Sequence, residues 1–473
     1  MNKMLKTKTK IVGTLGPSSG SAEMIEKMLQ QGLNVARINM SHGDHKSHGE
    51  TIKNARLASK KAKLPLAILQ DLSGPKIRIG DFDTDEVTLK EGEKLTLTTN
   101  PCVGTVKKVF VNYDKLPQEV EVGMNIYLND GKQKLLVERL TDTQVETTIL
   151  SGGTIKGRRG VNIPDANLTI SSLTPKDRKD LKFGLAQDVD FVTLSFVRTK
   201  DDILLLRKLL RKNSTVAIIA KIETKSAIEN LEEIMKETDA IMVARGDLAI
   251  EMPLEKVPLL QKNIIRLANK HGKPVITATQ MLDSMKTSAT PTRAEVTDIA
   301  NAIIDGTDAL MLSDETAIGT HPDKTIEVMS KVAYEIENDP YFFNKKPAWD
   351  SEILNSCDAI TQSIANSVRP TNARVIVALS ESGHTARMIS RHRPNKTILV
   401  LTRHQKTFNQ MLIVFACEPV MIKKIKGFTD AKKLARKIVL ENDLAKNGDI
   451  FILGAGIPFG ISGTTNTMSI ERI

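Results

Sequence analysis

Lys221 and Glu223 close an apolar run within the segment 216–247, where a buried strand would end. Side chains alternate along a strand, so both charged groups face the same way, with Ile222 on the opposite side. A helical pattern and a second apolar strand follow, and that strand runs into Asp247. Because a right-handed βαβ crossover makes the two strands parallel neighbours, Glu223 and Asp247 are expected at one end of the sheet. Two carboxylates beside a lysine suit Mg²⁺ and phosphate, although the pattern also fits an ion pair at a solvated strand end.

Alternating short strands and helices on both sides of this segment predict the rest of the sheet. Three strands precede residue 76, and five follow residue 162. Eight parallel β/α units close into a (β/α)8 barrel of the TIM type, whose chemistry lies at the carboxyl ends of the strands. Polar residues collect at those predicted ends, which favours one shared site. They are Arg37, Asn39, Ser41, Asp71, Ser195, Lys221, Glu223, Asp247, Thr277, Thr279 and Ser313.

Two further regions differ from the barrel pattern. Residues 76–162 contain many short alternating runs and turn signals but no strong helix, which predicts an inserted β domain. Residues 336–350 contain prolines without clear periodicity and are predicted to be a linker. Strands and helices then alternate again, as in an open α/β sheet. The predicted domains are a barrel of residues 1–75 and 163–345, the inserted β domain of 76–162, and a C-terminal α/β domain of 346–473.

The composition limits the class of protein. The chain has 473 residues, of which 40% are hydrophobic, so two or three domains with ordinary cores are expected. The net charge of +11 fits nucleic acid or small anionic substrates, but aromatic residues make up only 4% and the basic residues are spread along the chain. No apolar run approaches a membrane span and the opening segment lacks a signal-peptide core, so a cytoplasmic protein is expected. Cys102, Cys357 and Cys417 match no metal or redox spacing.

A loop in the C-terminal region could bind an anion. It follows a predicted strand and opens a predicted helix, where free backbone N–H groups favour negative charge. Its residues are Ser380, Ser382, Gly383, His384 and Thr385. Simple helix capping explains the same serines and threonines. A second loop, 454–467, is rich in Gly, Ser and Thr and could close over the same ligand. We therefore expect allosteric activation by a phosphorylated metabolite here: a sugar monophosphate, fructose 1,6-bisphosphate or a nucleotide.

Six motifs, in order along the chain, resemble the pyruvate kinase family. They are NMSHG (39–43), SGPKIR (73–78), GVNIP (160–164), MVARGDL (242–248), TATQMLDSM (277–285) and SGTTNT (462–467). The resemblance covers nearly the whole chain, and it implies a barrel interrupted after its third strand by a β-barrel-like lid, which would be the inserted domain of residues 76–162. It implies transfer of the phosphoryl group of phosphoenolpyruvate to ADP, which gives pyruvate and ATP in the last step of glycolysis. It also implies Mg²⁺ or Mn²⁺, often K⁺, and a homotetramer.

The resemblance assigns roles to the charged residues of the barrel. Arg37 and Lys221 would hold the transferring phosphoryl group, and Lys221 would neutralise its charge between the two oxygens. Glu223 and Asp247 would bind Mg²⁺.

The resemblance also assigns the remaining substrate contacts. The carboxylate would lie on the backbone N–H groups of Gly246 and Asp247, with the hydroxyl of Thr279 beside them. Protonation of the enolate would come from Thr279 or from a water relay involving Ser313. The nucleotide contacts would be Asn39, Met40, Ser41, His42, Arg78 and Arg159, with the two arginines brought in by lid closure.

Departures from the family pattern concern the monovalent cation. Asp71 is followed by Leu-Ser-Gly-Pro-Lys, where well-known members have Thr-Lys-Gly-Pro-Glu. The family K⁺ site would involve Asn39, Ser41, Asp71 and Leu72, and Lys76 replaces the glutamate beside it. A fixed ammonium there would repel a cation, so we expect activity without K⁺. The alternative is that Lys76 points to solvent. Asp314 stands where the family usually has glycine, and the sequence gives it no role.

Two rival readings use part of the same pattern. A Mg²⁺-dependent aldolase working through a pyruvate enolate would also combine a KIET-like strand end with an RGD-like loop, but it would not need the lid. A basic nucleic-acid-binding protein that kept a barrel would not need Lys221, Glu223, Asp247 and Thr279 together.

Overall fold

The computed structural model describes residues 7–210, 215–340, 355–458 and 463–473. Within these ranges no helix is long and apolar enough to cross a membrane. The chain begins with three β/α units of a barrel. Their strands and helices are β1 (Lys10–Thr14), α1 (Ala22–Gln30), β2 (Val35–Asn39), α2 (His45–Ala62) and β3 (Ala67–Asp71).

The lid follows β3 and is built almost entirely of strands. Six strands form a curled sheet in the order β11-β7-β8-β9-β5-β6, and β4 pairs with β10 beside it. A compact apolar core of its own fills the lid. The elements are β4 (Glu86–Leu89), β5 (Lys94–Thr98), β6 (Lys108–Phe110), α3 (Leu116–Glu119), β7 (Asn125–Leu128), β8 (Gln133–Leu140), β9 (Gln144–Ser151), β10 (Gly153–Lys156) and β11 (Val161–Asn162).

Five more strands then complete the barrel. Its closed order is β1-β16-β15-β14-β13-β12-β3-β2, with every pair parallel, so the predicted (β/α)8 barrel is confirmed. Short 3₁₀ turns lie at Leu254–Lys256 and Asp283–Lys286. The elements are α4 (Pro175–Ala186), β12 (Phe191–Leu194), α5 (Lys200–Leu209), β13 (Ala217–Ile222), α6 (Lys225–Glu229), α7 (Leu231–Glu237), β14 (Ala240–Ala244), α8 (Arg245–Glu251), α9 (Val257–Lys270), β15 (Val275–Ala278), α10 (Arg293–Asp305), β16 (Ala309–Leu312), α11 (Asp314–Ala317) and α12 (Pro322–Asn338).

The C-terminal region is an α/β sheet in the order β19-β18-β17-β20-β21. Four strands are parallel, and β21 runs antiparallel to β20. A 3₁₀ turn lies at Met411–Ile413. The elements are α13 (Ser356–Thr371), β17 (Val375–Leu379), α14 (His384–Ser390), β18 (Ile398–Thr402), α15 (Gln405–Gln410), β19 (Cys417–Met421), α16 (Phe428–Glu441), β20 (Ile450–Gly456) and β21 (Thr465–Arg472).

Alternation along the strands decides which side chains reach the mouth of the barrel. In β13, Ile218 and Ile222 pack outward against the helices, whereas Ile219 belongs to the interior core. That interior core continues into the C-terminal sheet, which therefore covers the floor of the barrel. Lys221 and Glu223 follow Ile219 on the inward face, at the open end.

Two predictions about the C-terminal half need correction. The predicted linker, 336–350, begins too early in the sequence, because α12 continues to Asn338 and ends shortly before Pro340. Residues 341–350 lie outside the described residues. The sheet also has a strand that the sequence reading missed, β19. Pro419 lies inside it and weighs against a strand, but β19 is an edge strand, where proline is tolerated.

Candidate active site

The end of β13 carries the central charged pair of the site. The Lys221 ammonium lies 2.9 Å from Glu223 Oε2 and donates a 2.9 Å hydrogen bond to Ser195 Oγ. Ser195 in turn donates to the Leu72 carbonyl at 2.7 Å. Glu223 Oε1 accepts a 2.6 Å hydrogen bond from the Phe196 N–H. Lys221 and Glu223 are thus fixed by groups from two neighbouring strand ends, β3 and β12, in addition to each other.

The charges around Lys221 keep it a cation. Burial opposes its charge, but the carboxylates of Glu223, Asp71 and Asp247 outweigh burial and raise its pKa. Burial also raises the pKa of the Glu223 carboxyl to about 7; the charge of Asp247 acts in the same direction and that of Lys221 opposes it. The three carboxylates that act on Lys221 favour the binding of a further cation beside it.

Arg37 lies across the mouth from this pair and is buried. Its guanidinium donates from Nε to Asp71 Oδ2 at 2.8 Å, and a second nitrogen lies 2.6 Å from the same oxygen. The third nitrogen donates to Thr14 Oγ1 at 2.8 Å. The plane of the guanidinium is therefore set by β1 and β3, and Asp71 links the Arg37 side of the site to the Lys221 side.

The turn after β14 faces the turn after β15. The Gly246 N–H donates to Thr279 Oγ1 at 2.8 Å, and that hydroxyl donates to the Ala278 carbonyl at 2.6 Å. Asp247, one residue on, is half-buried in the first turn of α8. The Gly246 N–H and the Thr279 hydroxyl thus lie next to the carboxylate of Asp247.

Ser313 follows β16 at the same end of the barrel. Its N–H donates to Glu315 Oε2 at 2.7 Å, and Glu315 is almost fully buried. Burial raises the pKa of the Glu315 carboxyl, although backbone hydrogen bonds at Glu315, Ser313 and Leu282 oppose the rise. Asp314 is exposed at the rim, and nothing in the structure gives it a role.

A cleft of about 360 Å³ separates the lid from the barrel. Arg78 and Arg159 lie on the two chain segments that join the lid, where Arg78 forms an isolated antiparallel bridge with Gly160. Asn162 in β11 donates to Glu251 Oε1 of α8 at 3.1 Å, which fixes one edge of the lid on the barrel. The charged residues that line the cleft include His42, Lys76, Arg78, Arg158, Arg159, Arg198, Asp130, Asp247 and Glu251.

Comparison with known proteins agrees with this arrangement. The pyruvate kinase barrel domain matches residues 6–326, and the pyruvate kinase alpha/beta domain matches residues 358–471. The chain belongs to the pyruvate kinase family. A pyruvate kinase of Thermotoga maritima is 45% identical over 98% of this chain and 99% of its own. One of Staphylococcus aureus is 42% identical over 98% of this chain and 80% of its own. A crystal structure of a pyruvate kinase from Cryptosporidium parvum, 35% identical, superposes with a TM-score of 0.91 over 98% of this chain and 96% of the other.

Membership in the pyruvate kinase family makes the chain a phosphotransferase, with phosphoenolpyruvate and ADP as the implied substrates. The family generally uses Mg²⁺. Glu223 Oε2 is buried and makes no hydrogen bond of good geometry with any described residue, so it can accept an ion. Among the described residues no group of three or more His, Cys, Asp or Glu side chains is placed to hold a metal. Two carboxylates completed by substrate oxygens and water are a common Mg²⁺ set, so Glu223 and Asp247 fit the ion.

The residues of the family K⁺ site are also close together at the ends of β2 and β3. Asn39 Oδ1 accepts from the Ser41 N–H at 3.1 Å. Asp71 Oδ1 is buried and makes no hydrogen bond with a described residue. Leu72 is buried and offers only its backbone. Lys76 is an exposed residue that lines the cleft below the lid. Desolvation there lowers its pKa, as do the charges of Lys221 and Arg78, while Asp247 and Glu223 oppose this.

Two expected site residues, one from the polar strand ends and one from the nucleotide contacts implied by the resemblance, are arranged differently. Thr277 lies on the outer side of β15, because Ile276 and Ala278 on either side of it face the interior core. Its hydroxyl donates to Thr307 at 3.0 Å instead of facing the mouth. The Met40 side chain is buried in the core around the helices. Its N–H donates to the Asp71 carbonyl at 3.0 Å and its carbonyl accepts from the Lys176 ammonium at 2.6 Å, so its backbone groups are also engaged within the protein.

A cavity of about 460 Å³ lies beside the C-terminal sheet, at the loop predicted to bind an anion. Four of the five predicted residues line it: Ser380, Ser382, His384 and Thr385. Gly383 is not among the lining residues and instead has a φ of +77°, which turns the chain into α14. The basic residues that line the cavity are Arg403, Lys424 and Lys426, of which Arg403 pairs with Glu381. The second loop contributes residues 456–458 and 463–465, and residues 459–462 lie outside the described residues.

Several contacts in the site had no signal in the sequence. Thr14 and Phe196 hold Arg37 and Glu223 through a hydroxyl and a backbone N–H. Arg245 was recognised only as part of a motif, yet it donates to the carbonyls of Ala278, the last residue of β15, and of Thr279, which follows it. These partners are distant along the chain, and no local spacing pattern reveals them.

Proposed function

We propose that Lys221, Glu223 and Asp247 form the phosphoryl-transfer site of this chain, with Arg37 completing it. The observation that carries the proposal is the buried ammonium of Lys221, held between Glu223 and Ser195 among three carboxylates at the open end of the barrel. A fixed positive charge in a partly dry site stabilises charge that develops during reaction more than it does in water.

In the proposed mechanism the phosphoryl group of phosphoenolpyruvate lies between Arg37 and Lys221. The bond from phosphorus to the enol oxygen breaks, and a bond to a terminal phosphate oxygen of ADP forms. Both side chains offset the negative charge on the phosphoryl oxygens during this exchange. Magnesium held by Glu223 and Asp247 would add positive charge at the same oxygens when bound.

The other product is an enolate, which takes a proton at its methylene carbon to become pyruvate. We propose that the substrate carboxylate accepts hydrogen bonds from the Gly246 and Asp247 N–H groups, with the Thr279 hydroxyl beside it. In the structure the Gly246 N–H donates to Thr279 Oγ1. When the substrate carboxylate accepts from this N–H instead, the Thr279 hydroxyl turns away from it. The proton comes from Thr279 or from a water between Thr279 and Ser313.

The lid, proposed as the domain 76–162, supplies the nucleotide contacts. Arg78 and Arg159 line the cleft from its two hinge segments, and His42 lines it from the barrel. Asn39 and Ser41 complete the proposed contacts, and Met40 between them would keep these two residues in place through its own hydrogen bonds to Asp71 and Lys176. Closure would bring both arginines onto the phosphates of ADP and exclude water.

The metal assignment is tested by Glu223→Gln. Removing one ligand charge should raise the Mg²⁺ concentration needed for half-maximal activity at least about tenfold. Glu232→Gln, which removes an exposed carboxylate from the neighbouring helix α7, serves as the control and should leave the Mg²⁺ titration unchanged. A Glu223→Gln titration equal to wild type would overturn the assignment. The same assay, with ATP production from phosphoenolpyruvate as its signal, also excludes an aldolase.

We further propose that the enzyme works without K⁺. The support is Lys76, which lines the same cleft as Asp247 and, although exposed, has a pKa that responds to the charges of Asp247 and Glu223. Its ammonium would supply positive charge to the side of the site that a bound cation would occupy. The free Asp71 Oδ1 is the feature that would still attract an ion. A measurement of whether activity requires K⁺ therefore decides whether Lys76 or a bound ion supplies the positive charge here.

The C-terminal cavity is proposed as the effector site for a phosphorylated metabolite. Its support is the combination of hydroxyl groups on one wall with Arg403, Lys424 and Lys426 on another. Ser382→Glu places a negative charge there and should abolish activation by any sugar phosphate or nucleotide that activates the wild type. Ser363→Glu adds the same charge on exposed α13 and is the control. Full activation of Ser382→Glu would place the effector elsewhere.

A homotetramer is the proposed assembly. Its support is the family resemblance and two leucines near the start of α9, Leu254 and Leu259, which are 71% and 70% exposed. Light scattering of the purified chain tests it, and a monomer mass would refute it.

A further inference from the structure

Thr279 has a backbone conformation that threonine rarely adopts. Its φ is +75°, and Gln280 beside it has a φ of +53°. A branched β-carbon crowds the backbone in this left-handed region, so a threonine needs support from its surroundings to stay there. Such outliers occur where the neighbouring structure imposes them, often at functional sites.

The support comes from Arg245, the residue before Gly246. Its Nε donates to the Ala278 carbonyl at 3.2 Å, and one terminal nitrogen donates to the Thr279 carbonyl at 2.6 Å. One planar guanidinium thus bonds two successive carbonyls on either side of the strained φ. A fork of this shape fixes the orientation of both peptide groups, which a single point charge does not.

The guanidinium is itself held from behind. Its other terminal nitrogen donates to Asp298 of α10 at 2.7 Å and to Gln261 of α9 at 3.3 Å. The Arg245 side chain is only 14% exposed. Arg245 therefore has little freedom to follow Thr279 if that residue relaxes, and the strained turn is imposed by two helices of the barrel wall.

We propose that Arg245 is the positioning residue that aims the Thr279 hydroxyl at the reacting end of the substrate. This inference rests on the role given to Thr279 under Proposed function. Arg245 joins the two turns that meet there, because it leads directly into Gly246 and Asp247 while its side chain sets the backbone of Thr279. Without the fork, Thr279 relaxes to negative φ and its hydroxyl no longer points toward the substrate.

The test is a double-mutant cycle with Arg245→Lys and Thr279→Ala. Lysine keeps a positive charge near Asp298 but cannot bond both carbonyls. In the wild-type background we expect Arg245→Lys to lower kcat about 100-fold, because a displacement of the Thr279 hydroxyl by about 1 Å has an effect of this size. The rate of methyl-proton exchange of pyruvate, followed by NMR in D₂O with Mg²⁺ and ATP, should fall by a similar factor, with KM for ADP unchanged. In the Thr279→Ala background the same substitution should cost less than about threefold, since its target is gone.

The possible outcomes separate this inference from the role of Thr279. If the two substitutions multiply, Arg245 acts on something other than Thr279 and the inference is wrong. If Thr279→Ala alone keeps wild-type kcat, the role of Thr279 is wrong and Arg245 has no target there. Arg266→Lys, on an exposed arginine of α9, is the control for the substitution itself and should leave kcat unchanged.

Asp298→Asn provides the same test if Arg245→Lys does not fold. It removes the charge that holds the guanidinium from behind but leaves Arg245 in place. We expect kcat and pyruvate proton exchange to fall together by about threefold to tenfold in the wild-type background, with no further loss in Thr279→Ala. Equal losses of kcat in both backgrounds would overturn the inference.

Discussion

Ser195→Ala tests how the structure holds Lys221 in place. The substitution removes the hydroxyl that accepts from Lys221 at 2.9 Å and donates to the Leu72 carbonyl at 2.7 Å. A hydrogen bond to a charged group contributes about 1.5–3 kcal/mol, so its full loss from the transition state would lower kcat by about 10-fold to 150-fold. Because Glu223 still holds the ammonium, we expect the lower part of that range, about 10-fold to 30-fold. The buried Leu72 carbonyl also loses its donor, which should destabilise the fold by about 1–3 kcal/mol.

The assay couples pyruvate formation to lactate dehydrogenase and records kcat and KM at saturating Mg²⁺. Ser172→Ala is a matched control, because Ser172 is fully buried but its hydroxyl bonds to no described residue. It should leave kcat unchanged and cost little stability. A Ser195→Ala enzyme with kcat within about twofold of wild type would show that Glu223 alone positions Lys221, and the reasoning would be wrong.

Three further predictions follow from other parts of the structure. Wild type should be near-fully active with only a bulky organic cation present, whereas Lys76→Glu should lose activity and regain it with K⁺; strong K⁺ activation of wild type would contradict this. Burial raises the pKa of Glu337, which accepts backbone hydrogen bonds from Lys8 and Thr9. Its contribution to stability is complete below the unfolded-state pKa and is lost as pH rises through the raised folded-state pKa. Glu337→Gln should therefore gain stability relative to wild type as pH rises above about 4, and a difference in urea midpoints that does not change with pH would contradict this. Arg393 bonds Asp308 at the barrel floor through two nitrogens, each at 3.0 Å, so Arg393→Met should lower the free energy of unfolding by about 3 kcal/mol while leaving kcat nearly unchanged, and an unchanged urea midpoint would refute it.

The sequence predicts the barrel well because each strand is a short apolar run that fits one pattern. The same alternation correctly predicts that Ile222 faces away from Lys221 and Glu223, since strand geometry leaves only two faces. The prediction that was wrong is Thr277, which we placed in the shared site. Ile276 and Ala278 face the interior, so the same alternation puts Thr277 on the outer wall. The sequence does not say which of the two faces is the interior, so that choice needs the packed structure.

The sequence says least about contacts between distant segments. The bond from Phe196 to Glu223 and the fork from Arg245 to Thr279 join residues on neighbouring strand ends, and each depends on backbone groups that every residue type carries. The positive φ of Thr279 goes against threonine's own preference, so local propensity predicts the opposite. The domain limits and the effector loop remain predictions.

Phosphorus NMR of the purified chain with phosphoenolpyruvate, ADP and Mg²⁺ tests the central claim most directly. Wild type should convert the phosphoenolpyruvate signal into the γ-phosphate of ATP, and Lys221→Met should slow this at least about 100-fold while still binding substrate and Mg²⁺, because its charge acts mainly in the transition state. If Lys221→Met kept half of wild-type turnover, or if wild type made no ATP, the proposed site would be contradicted.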